Sequence, residues 1–233
     1  MFLFILILSG LNYMNSAFQD FMPVLRAHLL PRIHRKNGTA GFEDGTCGTP
    51  EMEQKQLDGI LFKADRLYSH KIVRFYYTTY DVRRAEDVVN PNTPHQNIML
   101  LADVKDSFAH PFLYARVLGI FHVNVVYVGP GMINNTPTRF DFLWVRWYEH
   151  ISPEGQFHLD VLSFPPVARS ASLGFVDPAD VLRACHVVPK FKEGFRHKDL
   201  MGLSKFCKDG EDWKQYFVGR CVPVFSLNVV QQS

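Results

Sequence analysis

Ten histidines, four cysteines and 23 carboxylates give this 233-residue chain the raw material for metal, nucleophilic and acid–base chemistry. Spacing decides how much of it is usable. A zinc centre needs three or four convergent ligands, announced locally by HExxH, HxH or paired CxxC. None of these occurs. His110, His122 and His150 lie in or beside a long apolar segment, and strand geometry gives no reason for them to meet. The expectation is no metal and no small-molecule cofactor, with the histidines at surfaces and strand edges. Nucleophilic catalysis fares no better. No GxSxG elbow is present, and Cys47 in the loop GTCGTP has no visible partner histidine. Gly129-Pro130-Gly131 follows a strand but lacks the third glycine and the helix of a dinucleotide loop. Acid pairs such as Asp58 with Asp65 and Glu86 with Asp87 lie in loops and strand ends, where solvated carboxylates are the simplest reading.

Arginines interleaved with aromatics are the richer pattern. Arg74, Tyr76 and Tyr80 alternate on one segment; Tyr114, Arg116 and His122 on a second; Phe140, Phe142, Trp144 and Arg146 on a third. Exposed sheet faces of this kind stack bases or hold peptides. The alternative is that both faces are covered, because large exposed aromatic patches are rare. The expected contact set is Arg74, Tyr76, Tyr80, Arg116, Trp144 and Arg146.

Elements must position these groups. From 113 to 127, Leu113, Ala115, Val117, Gly119, Phe121, Val123, Val125 and Tyr127 fall on alternate positions, with Arg116, His122 and Asn124 between them. Period 2 means a strand with one face in a core. A second strand, RFDFLWVRWYEH at 139–150, follows the loop GPGMINNTPT, which makes a long hairpin. Shorter strands are expected at 59–63, 70–81, 97–102, 158–164 and 186–188, with a charged loop over 82–96. Residues 18–34 read as an amphipathic helix through Phe18, Phe21, Leu25, Leu29 and Ile33, interrupted by Pro23 and Pro31. Asp177-Pro178 opens a short helix, and 212–218 looks helical. Two strands alone would leave a bare edge, so at least five strands plus covering helices are expected.

The fold class that follows is α+β and β-rich: a small bent antiparallel sheet or partly open β-barrel with flanking short helices. The organisation is an apolar segment at 1–17, the helix at 18–34, a glycine-bearing linker at 35–58, the β-rich domain at 59–220 and a tail at 221–233. A hydrophobic content of 47% argues against overall disorder, and a net charge of +2 gives no strong field for nucleic acid or membrane. The cysteines at 47, 185, 207 and 221 read as free thiols of a reducing compartment. The seven-residue apolar run from Phe2 to Leu8 is too short to span a bilayer, and no basic residue precedes it as in a signal peptide. No integral membrane insertion is expected. Two sequons, at Asn37 and Asn134, matter only if the chain is secreted.

Five segments also carry a family resemblance. SHKIVRFYYTTYDVRR (69–84), HPFLYARVLGIFHVNV (110–125), RFDFLWVRWYEH (139–150), GFVDPADVLRACHVVPKF (174–191) and DWKQYFVGR (212–220) occur in this order. Together they resemble the C-terminal region of uncharacterised basidiomycete proteins associated with Plavaka-type DNA transposons of the CACTA class. The resemblance covers roughly residues 18–220. It implies an intracellular, nuclear protein whose partners are DNA or chromatin proteins. The ends MFLFILILSG and CVPVFSLNVVQQS depart from that pattern, which suggests a fragment or decayed copy. The ARVxxIF…FLWVRWY pattern is also similar to bromo-adjacent homology (BAH) and related chromatin-reader barrels of SH3-like form. The leading expectation is a non-enzymatic binding module. The rivals are a metal-dependent nuclease or transposase remnant using Asp81, Glu86, Asp87 and Asp141, and a secreted glycoprotein domain beginning at Phe18.

Overall fold

The computed structural model describes residues 21–37, 50–79, 81–102, 110–130, 135–151, 160–199, 201–202, 204 and 206–219. The apolar run at 2–8, Phe18, Cys47, Tyr80, Cys221 and both sequon asparagine–threonine pairs lie wholly or partly outside them. The chain divides into two compact units, one of Met1–Ser69 with Phe121–Phe142, the other of His70–Ile120 with Leu143–Ser233.

The first unit holds α1 (Phe21–Lys36), α2 (Pro50–Asp58) and most of β1 (Ile60–His70). It also takes the later part of β5 (Phe112–Tyr127), with which β1 pairs, and the opening of β6 (Thr138–Trp147). Phe21, Leu25, Leu29 and Ile33 recur every fourth residue and form the buried stripe of α1. The helix is continuous, where two interruptions were expected. Pro23 sits in the first turn, where an N–H has no intrahelical acceptor anyway, and Pro31 costs only one backbone bond. The cationic side of α1 lies on aromatic rings: Arg32 and Lys36 are 5.5 and 5.2 Å from the Phe140 centroid. Arg32 Nη1 also donates to the Asp141 carbonyl at 2.9 Å. Residues 50–58, expected as linker, form α2 instead, with Glu51 and Glu53 in the first turn, where the helix dipole favours them.

The second unit is two sheets and a ribbon. β10 (Val181–Ala184), β4 (Asn97–Leu101), β5, β6 and β9 (Leu173–Val176) follow one another in a single path. β11 (His186–Pro189), β12 (Tyr216–Gly219), β8 (Asp160–Ser163) and β7 (Glu149–Ile151) make the second sheet, also open. Among the described residues, β2 (Val73–Thr78) and β3 (Arg84–Val89) pair only with each other. Neither path returns on itself, so the expected β-rich α+β fold is present as small open sheets and the barrel does not close.

Each face of the main sheet has its own core. On one, Ala115, Val117, Ile98, Leu100, Leu143 and Val145 pack with Phe75 and Val89 of the ribbon. On the other, Tyr114, Met99 and Tyr148 pack with Leu162, Phe164, Tyr216 and Val218 of the second sheet. Gly174 on β9 is there for close approach: a Cβ would come within 2.6 Å of Trp147 Nε1.

Two local expectations are corrected. Residues 84–89, expected as loop, form β3, because Ala85, Asp87 and Val89 turn inward while Arg84, Glu86 and Val88 stay exposed. Residues 216–218, the end of the helix expected over 212–218, belong to β12, because Tyr216 and Val218 are buried at alternate positions and pair with β8 and β11. The short helical turn at Pro178–Asp180 is present with Asp177 as its cap, its Oδ1 accepting from the Ala179 N–H at 3.0 Å.

Candidate functional site

The register of the ribbon sets what it shows to solvent. Directly opposed residues of an antiparallel pair share a face. Arg74 opposes Val88, Tyr76 opposes Glu86, and Thr78 opposes Arg84; all six are exposed. Tyr76 is 72% exposed, the most open tyrosine, phenylalanine or tryptophan among the described residues. Arg74 Nη1 donates to Glu86 Oε1 at 2.7 Å, which raises the already high guanidinium pKa further. The inner face is anchored. Arg183 on β10 stacks 3.6 Å from the Tyr77 ring centroid and pairs with Asp87 at 3.1 Å, while Phe75 and Val89 enter the core. At the turn, Val82 takes φ +61 and is 81% exposed, beside an Arg83–Asp81 pair at 2.9 Å. A β-branched residue in the left-handed region is strained backbone. Tyr80 lies outside the described residues.

Arg116 and Arg146 go inward. They occupy the layer between the two sheets, where one carboxylate serves both: Arg116 Nη1 reaches Asp212 Oδ1 at 2.9 Å and Arg146 Nη1 reaches Oδ2 at 2.5 Å. Both guanidiniums lie over the Phe164 ring, at 4.3 and 4.1 Å from its centroid. Arg146 also donates to the carbonyl oxygens of Cys207 and Pro165, and Tyr216 Oη accepts from the Trp213 N–H at 2.9 Å. Burial pushes the Asp212 carboxyl up, opposed by the two guanidiniums. Burial likewise opposes the charge of Arg116, yet Tyr148, Asp212 and Tyr216 hold it protonated. Trp144 is also buried, opposite Phe175 on β9. These three residues were expected on an exposed face. β6 is covered on both faces, and so is β5 from Tyr114 to Val117, so they build the interior. Of the second trio, His122 is half-buried and stacks on Tyr68 at 4.5 Å. Phe140 and Phe142 are core of the first unit.

The four acids of the nuclease alternative are each held by an arginine. Asp81 pairs with Arg83, Glu86 with Arg74, Asp87 with Arg183 and Asp141 with Arg139. Among the described residues no two of them share a metal-binding cluster. Cys185 and Cys207 are free thiols, and burial pushes Cys185 up to about 12 and Cys207 in the same direction. Neither is a poised nucleophile.

Sequence spacing also missed one convergence. The His110 and His150 rings have centroids 3.8 Å apart and planes tilted by 30°, beside Asp160. The β7–β8 register sets His150 diagonally to Asp160, the Phe112 carbonyl at the start of β5 lies against both imidazoles, and no local motif announces the meeting. Among the described residues no helix is long and apolar enough to cross a membrane. No family model, curated protein or solved structure matches the chain.

Proposed function

We propose that the chain is a non-enzymatic binding module that holds double-stranded DNA on the outer face of the β2–β3 ribbon. The observation that carries this is the exposed set Arg74, Tyr76, Thr78, Arg84, Glu86 and Val88, two arginines and an open tyrosine against one acid, on a two-stranded ribbon anchored from behind by Arg183 and Phe75. A two-stranded ribbon has the width to enter the major groove. Arginine suits phosphate because its fork donates two parallel bonds. Tyr76 adds a flat ring with a hydroxyl, and the turn adds Arg83 with the strained, exposed Val82. The resemblance to transposon-associated proteins favours DNA over a peptide, and a nuclear setting goes with it. Arg116, Trp144 and Arg146 serve this reading as scaffold.

Fluorescence anisotropy with labelled duplexes at two salt concentrations tests it. Two or three phosphate contacts give a slope of log K against log salt of about −2 to −3. Duplexes of unrelated sequence bind alike if the contacts are mainly to phosphate. A folded sample that binds no duplex at low salt overturns the reading.

A further inference from the structure

We propose that His110, His150 and Asp160 form a binding site for a divalent transition-metal ion, zinc first among them. One ligand atom from each lies within 4.8 Å of the others. His110 Nε2 and Asp160 Oδ2 are 3.2 Å apart. Metal–ligand bonds of about 2.1 Å put neighbouring ligand atoms ~3.4 Å apart in a tetrahedron and ~3.0 Å in an octahedron. The pair is therefore already spaced as one edge of a coordination shell.

Three elements converge to make the site. His110 lies two residues before the start of β5, while His150 and Asp160 come from the paired strands β7 and β8. His150 opposes Leu162, so Asp160, two residues before it, stands diagonally on the same face. His110 and Asp160 side chains keep 25% and 17% of their surface open, which leaves an ion a way in.

The surroundings orient these groups as metal ligands are usually oriented. The Phe112 carbonyl oxygen lies 2.9 Å from His110 Nδ1 and 3.2 Å from His150 Nε2. A carbonyl accepting from the rear nitrogen of an imidazole fixes its tautomer and turns the other nitrogen to the metal. Tyr114 Oη donates to Asp160 Oδ2 at 3.3 Å and steadies the carboxylate. His110 also has a partner in its other tautomer. The Phe112 N–H is 3.1 Å from Nδ1, so Nδ1 accepts there while Nε2–H donates to Asp160. Metal entry takes the Nε2 lone pair, and the ring's single N–H proton passes through solvent from Nε2 to Nδ1, where it donates to the Phe112 carbonyl. With three protein ligands, the shell keeps a position for water or a further donor.

The test uses the full chain, stripped with a chelator and desalted, and Zn²⁺ or Co²⁺ alone as probe. One equivalent should bind. The Co²⁺ complex should show ligand-field bands without the thiolate charge-transfer absorption that Cys47, Cys185, Cys207 or Cys221 would give. His150→Gln and Asp160→Asn should each weaken Zn²⁺ binding by more than the roughly 10- to 100-fold that loss of an orienting partner costs; Tyr114→Phe should fall within that range. A readout on the unsubstituted chain covers variants that fail to fold: Zn²⁺ should protect His110 and His150 from diethyl pyrocarbonate. No binding, a thiolate spectrum, unprotected histidines, or unchanged affinity in both folded ligand variants overturns the proposal.

Discussion

Asp212 is the residue on which the interior of the second unit depends. It answers two guanidiniums that the fold has taken out of water. An ion triad of this kind is weak evidence of net stability, but breaking it leaves unpaired buried charge. Asp212→Ala should lower unfolding stability by about 3–5 kcal/mol, read as a drop in the urea midpoint. A loss under 1 kcal/mol would mean that water reaches Arg116 and Arg146. Cys185 gives a prediction in pH. Its unfolded-state reference is 9.0 and its folded value is pushed up to about 12 by burial. Between those values the unfolded chain releases the thiol proton and the folded chain keeps it. Stability therefore falls as pH rises above about 9, and Cys185→Ala should flatten that fall in a series of unfolding midpoints at rising pH. An unchanged slope would assign the alkaline loss to other groups.

At the scale of elements, the ribbon and the β6–β9 pair carry the predictions. Phosphate must compete with Glu86 for Arg74. Glu86→Gln should raise duplex affinity a few-fold, and weaker binding by that variant would argue that the pair is needed to shape the face. On β9, Gly174→Ala forces a methyl against Trp147. Such overpacking costs about 1–3 kcal/mol; a neutral change in the thermal midpoint would show that Trp147 shifts freely. The long elements were legible in the sequence. β5 announces itself by alternation from Leu113 to Tyr127, and β6 by Leu143, Val145 and Trp147. The second sheet was legible in part: β8 and β11 fall at the strands expected at 158–164 and 186–188, whereas β7 and β12, of three and four residues, are too short for a period to register.

The unread strands of that sheet explain, at the scale of the whole molecule, which site residues the sequence could reveal. Reading β5 and β6 alone, Arg116 and Arg146 face outward. Their partner Asp212 lies 96 and 66 residues further on and arrives only when β12 docks beside β8. The meeting of His110 with His150 and Asp160 was hidden for a like reason, since it needs both the β7–β8 register and the approach of the start of β5 to His150. Arg74 and Tyr76 stayed legible because their exposure is set by one local pairing, β2 with β3. The molecule thus sorts its arginines into two classes, and the most direct measurement compares them. Duplex affinity and unfolding midpoint would be measured for Arg74→Ala with Arg84→Ala, and separately for Arg146→Met. The ribbon double variant should bind at least tenfold more weakly, with a salt slope shallower by about 2 and an unchanged midpoint. Arg146→Met should lower the midpoint while its folded fraction binds as the parent does. Full affinity in the ribbon variant, or loss confined to folded Arg146→Met, would contradict the account.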